Sequence, residues 1–213
     1  TLGSAVAGLT VGLATPSVVS VYGADPRLDR TLVIAISQSG ASPDIGAVVD
    51  AARRQGAPTV AFINAPDSPL ADAADWTISL SAGPERAIAA TKSYTTSLLA
   101  IAALSAALRD EPDDRAALAT VPATIAATLG LEDSMAAIAE AHATATRALI
   151  LARGYEYATA REWAIKVKEL AHVFFDPYSA ADFAHGPVAL VEPGVPVIAI
   201  VREGPTAAGL TDQ

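Results

Sequence analysis

The sequence contains no cysteine. That excludes disulfides, zinc–thiolate sites and thiol nucleophiles. Aromatic residues are scarce, 5% of the 213, which argues against an aromatic-rich β-sandwich. Basic residues are outnumbered: 14 Lys and Arg face 23 Asp and Glu, for a net charge of -9 and a pI of 4.7. Such a balance repels phosphate backbones and anionic lipids, so nucleic-acid and membrane-surface roles are disfavoured. Any anionic ligand must be held by a local device. No apolar run approaches the ~18 residues that span a bilayer, and no signal-peptide pattern opens the chain. A soluble, cytoplasmic protein is expected. The chain does not begin with Met and opens on what reads as mid-domain sequence, so residues are expected to be missing at both ends.

What is present is a large apolar fraction, 52%, against 17% charged residues. A sizeable, alanine-rich core is expected. Apolar runs at Thr31–Ile36, Thr59–Ile63, Trp76–Leu80, Arg147–Ala152 and Val197–Val201 read as strands, the continuous ones as strands covered on both faces. Thr10–Thr15 and Ser17–Tyr22, split by Pro16, read as a short strand and an edge segment. Helices are expected from Pro43 to about Gln55, from Glu85 to Leu108, over one or two segments within Val121–Ala145, and after Gly154 to about Val173. Asn64–Asp75 reads as a proline-bearing loop with an Ala-rich turn, and Asp176–Pro187 as a polar loop. Asp110–Arg115 reads as a solvated linker. Alternating strands and helices argue for α/β architecture with parallel sheets. A weak repeat supports two such units: Val33–Ile36 and Val197–Ile200 are both VIAI. Only the first copy is followed by a polar loop, so one anion site per two units is expected.

Four segments carry chemistry. In SQSGAS, Ser37–Ser42, a buried strand gives way to a helix. A helix N-terminus offers N–H groups and partial positive charge to a phosphate. Ser37, Ser39 and Ser42 add hydroxyls, Gln38 adds an amide, and Gly40 lets the backbone approach. The alternative is an ordinary turn with a serine N-cap. Glu85–Thr96 packs small residues around Lys92, which suits close approach of a ligand or of another helix. In Arg161–Leu170, Glu162, Lys166 and Glu169 share one helical face. A surface ion-pair stripe is one reading. The apolar neighbours Trp163, Ile165, Val167 and Leu170 favour another, a partly buried carboxylate tuned toward a useful base. Finally, Tyr178–Pro187 sets His185 before a Gly-Pro turn, as an acid/base group or an incidental loop histidine. No two of the three histidines show metal-ligand spacing.

SQSGASPD, ERAIAATKSYTT, REWAIKVKELA and YSAADFAHGPVALV, in this order, resemble the SIS (sugar isomerase) family in its tandem form. The resemblance implies two flavodoxin-like, three-layer α/β/α units, residues 1–120 and 121–213, the second truncated. It implies a homodimer whose sites are shared between subunits. Ser37, Gln38, Ser39 and Ser42 match the family's phosphate loop. Ile88, Ala90, Thr91 and Lys92 match a segment lining the sugar, with Ala90 where family members tend to have Ser. Glu169 matches the carboxylate that moves a proton between C1 and C2. His185 matches a histidine associated with ring opening, and Glu162 and Lys166 match further polar positions of the catalytic helix. The implied substrate is an aldose or ketose 6-phosphate, an amino sugar foremost, and the implied activity an isomerase, deaminase or aminotransferase-like reaction. No metal and no organic cofactor are expected, because a carbonyl or imine already acidifies the neighbouring C–H. A non-catalytic sugar-phosphate sensor is the alternative.

Overall fold

The structure, a computed structural model, describes residues 8–211. The opening residues Thr1–Ala7 therefore lie outside the described region. The chain divides into two compact units, Thr1–Pro122 and Ala123–Gln213.

The first unit is built around a parallel three-stranded sheet of order β1-β2-β3, with β1 at Val33–Ser37, β2 at Thr59–Ile63 and β3 at Trp76–Ser79. β2 is the middle strand, and four of its five residues are buried, as its unbroken apolar run requires. Before β1 lies α1, Pro16–Ser20, and between β1 and β2 lies α2, Pro43–Arg54. α2 buries Val48, Val49, Ala51 and Ala52. Val49 joins Ala35, Ala61, Ile63 and Leu70 in one core cluster. α3, Pro69–Ala73, connects β2 to β3 and contributes Leu70. The sheet's amino end is closed by a reciprocal clasp. Asp75 Oδ2 accepts from the Thr59 N–H at 2.9 Å and the Thr59 hydroxyl at 2.8 Å, while the Asp75 N–H donates to Thr59 Oγ1 at 2.9 Å. Arg53 lies 3.3 Å from the other carboxylate oxygen. The Thr59 hydrogen bonds, aided by the Arg53 charge, hold Asp75 below its ordinary pKa. α4, Lys92–Arg109, ends where Asp110 takes a left-handed conformation.

α5, Pro112–Leu129, contains the boundary between the units. α6, Glu132–Ala141, comes next, in the second unit. The second sheet has order β5-β4-β6, all parallel. β4 is Arg147–Ala152, β5 is Phe174–Ser179 and β6 is Val197–Ala199. Alternate residues of β4 serve opposite faces. Leu149 and Leu151 pack with Ala180, Phe183 and Leu210 on one side. Ile150 and Ala152 pack with Ala160 and Ala164 on the other. Ala160 and Ala164 belong to α7, Glu156–Ala171, and the short α8, Ala180–Phe183, and α9, Ala208–Thr211, complete the unit.

Several expectations are corrected. Thr10–Thr15 forms no strand, and Pro16–Ser20 is helical rather than an edge segment. Pro16 at the first helical position presets φ for a helical turn, which overrides the β-branched Val18 and Val19. Asp176–Pro187 is not simply a loop, because its first residues complete β5. Pro177 hid that strand. It is tolerated because, among the described residues, β5 lies at the edge of its sheet and pairs on one side only. Glu85–Ala90 lies outside the long helix, which starts at Lys92. The charged break at Asp110–Arg115 is a sharp turn and not a linker, because Pro112 opens α5. The Asn64–Asp75 loop contains α3.

Candidate functional site

In parallel α/β sheets, ligands gather beyond the carboxyl ends of the strands. β1 ends at Ser37 and β2 at Ile63, which are register partners. Both strands therefore deliver their trailing loops to one edge of the first sheet.

The loop after β1 is Gln38–Ser42, and Ser42 caps α2. Its geometry provides neutral donors in a stretch without Lys or Arg. The Gly40 N–H donates to Ser37 Oγ at 3.0 Å, the Ala41 N–H to Ser39 Oγ at 3.3 Å, and the Ile45 N–H to Ser42 Oγ at 3.5 Å. Each serine oxygen thus accepts, which leaves its own O–H to be donated. Gln38 and Ser39 are exposed, Ser37 and Ser42 half-buried. Gly40 is buried with φ +64. A Cβ there would meet Ser68 Oγ at 2.1 Å and Ile63 Cδ1 at 2.4 Å, so both conformation and space demand glycine. The loop is fastened from below by the Leu70 N–H, which donates to the Gly40 carbonyl at 3.1 Å. In the first turn of α2, Asp44 accepts from the Ser20 hydroxyl at 2.6 Å.

The segment lining Ile88–Lys92 is shaped by two tethers that sequence reasoning did not single out. Asn64, directly after β2, accepts from the Ala82 N–H at 2.9 Å and donates to the Gly83 carbonyl at 2.8 Å. Glu85 caps α4 from outside the helix. Its Oε2 accepts from the Thr91 N–H at 3.1 Å and from the Ser93 N–H and hydroxyl at 3.0 Å each. The Ser93 backbone bond leads in holding the Glu85 carboxyl below its ordinary value, against the opposing effect of desolvation. An acidic residue shortly before a helix start is the signal that could have found it. Ile88 is 98% exposed, and Ala90 is half-buried. Thr91 and Lys92 are exposed, and Lys92 Nζ turns back to the Pro84 carbonyl at 2.7 Å.

In the second unit, α7 brings Glu162, Lys166 and Glu169 together. Lys166 Nζ lies 3.2 Å from Glu162 Oε1 and 3.5 Å from Glu169 Oε2. Burial pulls the ammonium's pKa down, but the hydrogen bond and charge of Glu162, then those of Glu169, outweigh it and raise it. The Glu162 and Lys166 side chains are mostly buried, whereas Glu169 is 44% exposed. The expected apolar enclosure is absent: Trp163, Ile165 and Leu170 are exposed. Only the alanine face of α7, Ala160 and Ala164, is buried against the sheet. His185 is exposed on the turn before Gly186, whose φ of +145 requires glycine. Among the described residues its side chain makes no hydrogen bond to the Glu–Lys–Glu trio. Tyr178 donates to Asp176 at 2.6 Å, and that bond, with burial, raises its pKa. A cleft of about 350 Å³ at the amino end of this sheet is lined by Arg147, Lys168, Phe174 and Leu190, and takes in none of Glu162, Lys166, Glu169 and His185. Among the described residues no cluster of His, Asp or Glu could hold a metal ion, and no helix is long and apolar enough to cross a membrane.

Two parallel three-stranded sheets, the first with a serine loop at a strand's carboxyl end, define an α/β protein of the open parallel-sheet class. The chain matches the SIS domain family over residues 24–107 and 143–210 and belongs to that family. It is 37% identical over 186 residues to the isomerizing glutamine–fructose-6-phosphate aminotransferase of Symbiobacterium thermophilum, covering 83% of this chain and 30% of that protein. The aminotransferase of the same description from Mycolicibacterium smegmatis is 38% identical over 196 residues, covering 87% and 31%. The chain thus spans about three tenths of the length of these curated relatives. A candidate phosphosugar isomerase of Silicibacter pomeroyi superposes with a TM-score of 0.90 at 40% identity, over 99% of this chain and 64% of that one. The C-terminal domain of glucosamine–fructose-6-phosphate aminotransferase from Francisella tularensis gives 0.88 at 26%, over 98% and 63%.

Proposed function

We propose that the chain is the sugar-phosphate-handling part of an enzyme that moves a proton between C1 and C2 of an aldose or ketose 6-phosphate, with an amino sugar as the favoured substrate. The observation that carries this reading is the Lys166 ammonium held between Glu162 and the more exposed Glu169. Glu169 sits within 3.5 Å of that ammonium, and its exposure lets it reach a substrate hydrogen. In this reading Ser37, Ser39, Ser42 and Gln38 hold the phosphate, His185 assists ring opening, and Ile88, Ala90, Thr91 and Lys92 line the sugar. Glu169 then removes the proton at one carbon and returns it at the other through an enediol or enolamine. The carbonyl or imine supplies the acidity, so the step calls for no metal or organic cofactor.

The reading includes a homodimer in the cytoplasm. α5 and α6 bury no residue, and Ile125, Leu129, Leu131, Met135 and Ile138 are exposed along them, an apolar surface suited to a second copy. Sedimentation at micromolar concentration should give a dimer, and a fully active monomer would remove the shared site from the reading.

The test of the chemistry is exchange of the C1 or C2 proton of fructose 6-phosphate and glucosamine 6-phosphate in deuterated water, monitored by NMR. Glu169→Gln keeps shape but removes the base, so exchange should fall by about 10²–10⁴-fold with binding nearly unchanged. Wild-type exchange by the variant would make Glu169 structural. Tight binding by the wild-type chain without any exchange would favour a sensor over an enzyme.

A further inference from the structure

Among the described residues of the first unit, one buried side-chain polar atom lacks a hydrogen-bond partner. Ser68 is 6% exposed, and its Oγ is sealed from solvent without a hydrogen-bond partner among the described residues. It occupies the cap position of α3 yet makes no capping bond. A buried hydroxyl left unpaired is costly, so such a group in a folded protein calls for a reason. Its position supplies one. The hydroxyl lies directly against Gly40, where an added Cβ would come within 2.1 Å of it. Two residues further on, the Leu70 N–H holds the Gly40 carbonyl. Ser68 therefore sits beneath the serine loop, on a segment that fastens that loop from below.

We propose that Ser68 is a positioning residue whose hydroxyl is held in reserve for the anion-bound form of the loop. This rests on the sugar-phosphate reading of Ser37–Ser42. In the free loop, Gly40 and Ala41 give their N–H groups to Ser37 and Ser39. An entering phosphate competes for those N–H groups, and the Ser39–Gly40 backbone turns toward it. That turn brings a loop carbonyl to the waiting Ser68 O–H. The hydroxyl is thus unpaired without ligand and paired with it, so part of the binding free energy comes from relieving a defect that the free protein carries.

The linkage has a signature that a structural serine lacks. Ser68→Ala removes the unpaired group from the free form and the gained bond from the bound form. Its thermal midpoint without ligand should equal or exceed that of the wild-type chain. Its affinity for fructose 6-phosphate and for inorganic phosphate, by calorimetry, should fall about fivefold to tenfold, the scale of one lost hydrogen bond. In wild type, phosphate should also slow hydrogen exchange at the Leu70 amide, and in Ser68→Ala it should slow it less. Unchanged affinity in the variant overturns the inference while leaving the phosphate loop intact. Parallel loss of stability and affinity also overturns it, by making Ser68 an ordinary structural group. Failure of the wild-type chain to bind either anion overturns the sugar-phosphate reading, and this inference with it.

Discussion

β1 and β6 carry the same four residues, VIAI, and lead to different things. β1 ends on Ser37 and runs into a loop with two further serines and a 12-residue helix that the last of them caps. β6 stops at Ala199 and gives way to irregular chain and a four-residue helix. Among the described residues both are edge strands, paired only with β2 and β4 respectively. The strand is an interchangeable support; the chemistry resides in the loop and helix attached to its end. The polar work of the second unit is accordingly done elsewhere, on α7, by long charged side chains rather than by short hydroxyls. On the proposed reading, the first unit holds the substrate and the second moves its proton.

If that division is right, changes in the first unit should strike binding and changes in the second should strike turnover. The largest effect is expected at Gly40. Gly40→Ala places a Cβ against Ser68 and Ile63 at a positive φ. It should lower stability by about 1–3 kcal/mol and abolish phosphate binding, as read by denaturant midpoint and calorimetry. Normal binding by this variant would break the assignment of the loop. Lys166→Met should next reduce proton exchange by about tenfold to a hundredfold, at or below the lower end of general acid–base effects, with substrate affinity little altered. A change in affinity alone would place Lys166 in binding and blur the division. Ser37→Ala combined with Ser39→Ala should weaken sugar-phosphate affinity by about 1–3 kcal/mol, with maximal turnover retained.

The smallest effect separates the units by pH. In the first, Asp75 and Glu85 have pKa values lowered from 3.8 and 4.5. The unfolded chain takes up protons first as pH falls, so their stabilisation is present above those ordinary values and is lost as pH drops through the lowered ones. In the second, Lys166 is raised from 10.5. Its stabilisation is present below that value and is lost as pH climbs through the raised one. Denaturant midpoints across pH should therefore fall at both extremes. Glu85→Gln should flatten only the acid limb and Lys166→Met only the alkaline one. A variant that flattens the opposite limb would contradict the assignment.

Legibility in the sequence tracked the range of the interactions. β2 and β4 were readable to the residue, because strands covered on both faces write continuous apolar runs. α1 was misread because one proline outweighed two valines, and β5 was hidden by Pro177, whose tolerance depends on where the strand sits in the sheet. The serine loop was visible because its parts are contiguous, and the Glu–Lys–Glu trio because helical spacing brings it together. The tethers were not. Asn64 reaches Ala82 and Gly83 across a whole βαβ step, and Ser68 meets a glycine 28 positions earlier. Such partners exist only once the sheet has formed.

If Ser37–Ser42 holds phosphate as proposed, its lack of lysine and arginine has a kinetic consequence. A phosphate approaching a chain of net charge -9 is pushed away over a Debye length of about 10 Å at 0.1 M salt, and only neutral dipoles receive it at the end of its path. Most phosphate sites lose association rate as salt is added, because salt screens their attraction. Here salt screens a repulsion, so capture should quicken with ionic strength while the release rate, set by short hydrogen bonds, stays nearly constant. The loop thus gives up long-range attraction and gains discrimination: an anion is retained for fitting the donors, having received no help in arriving.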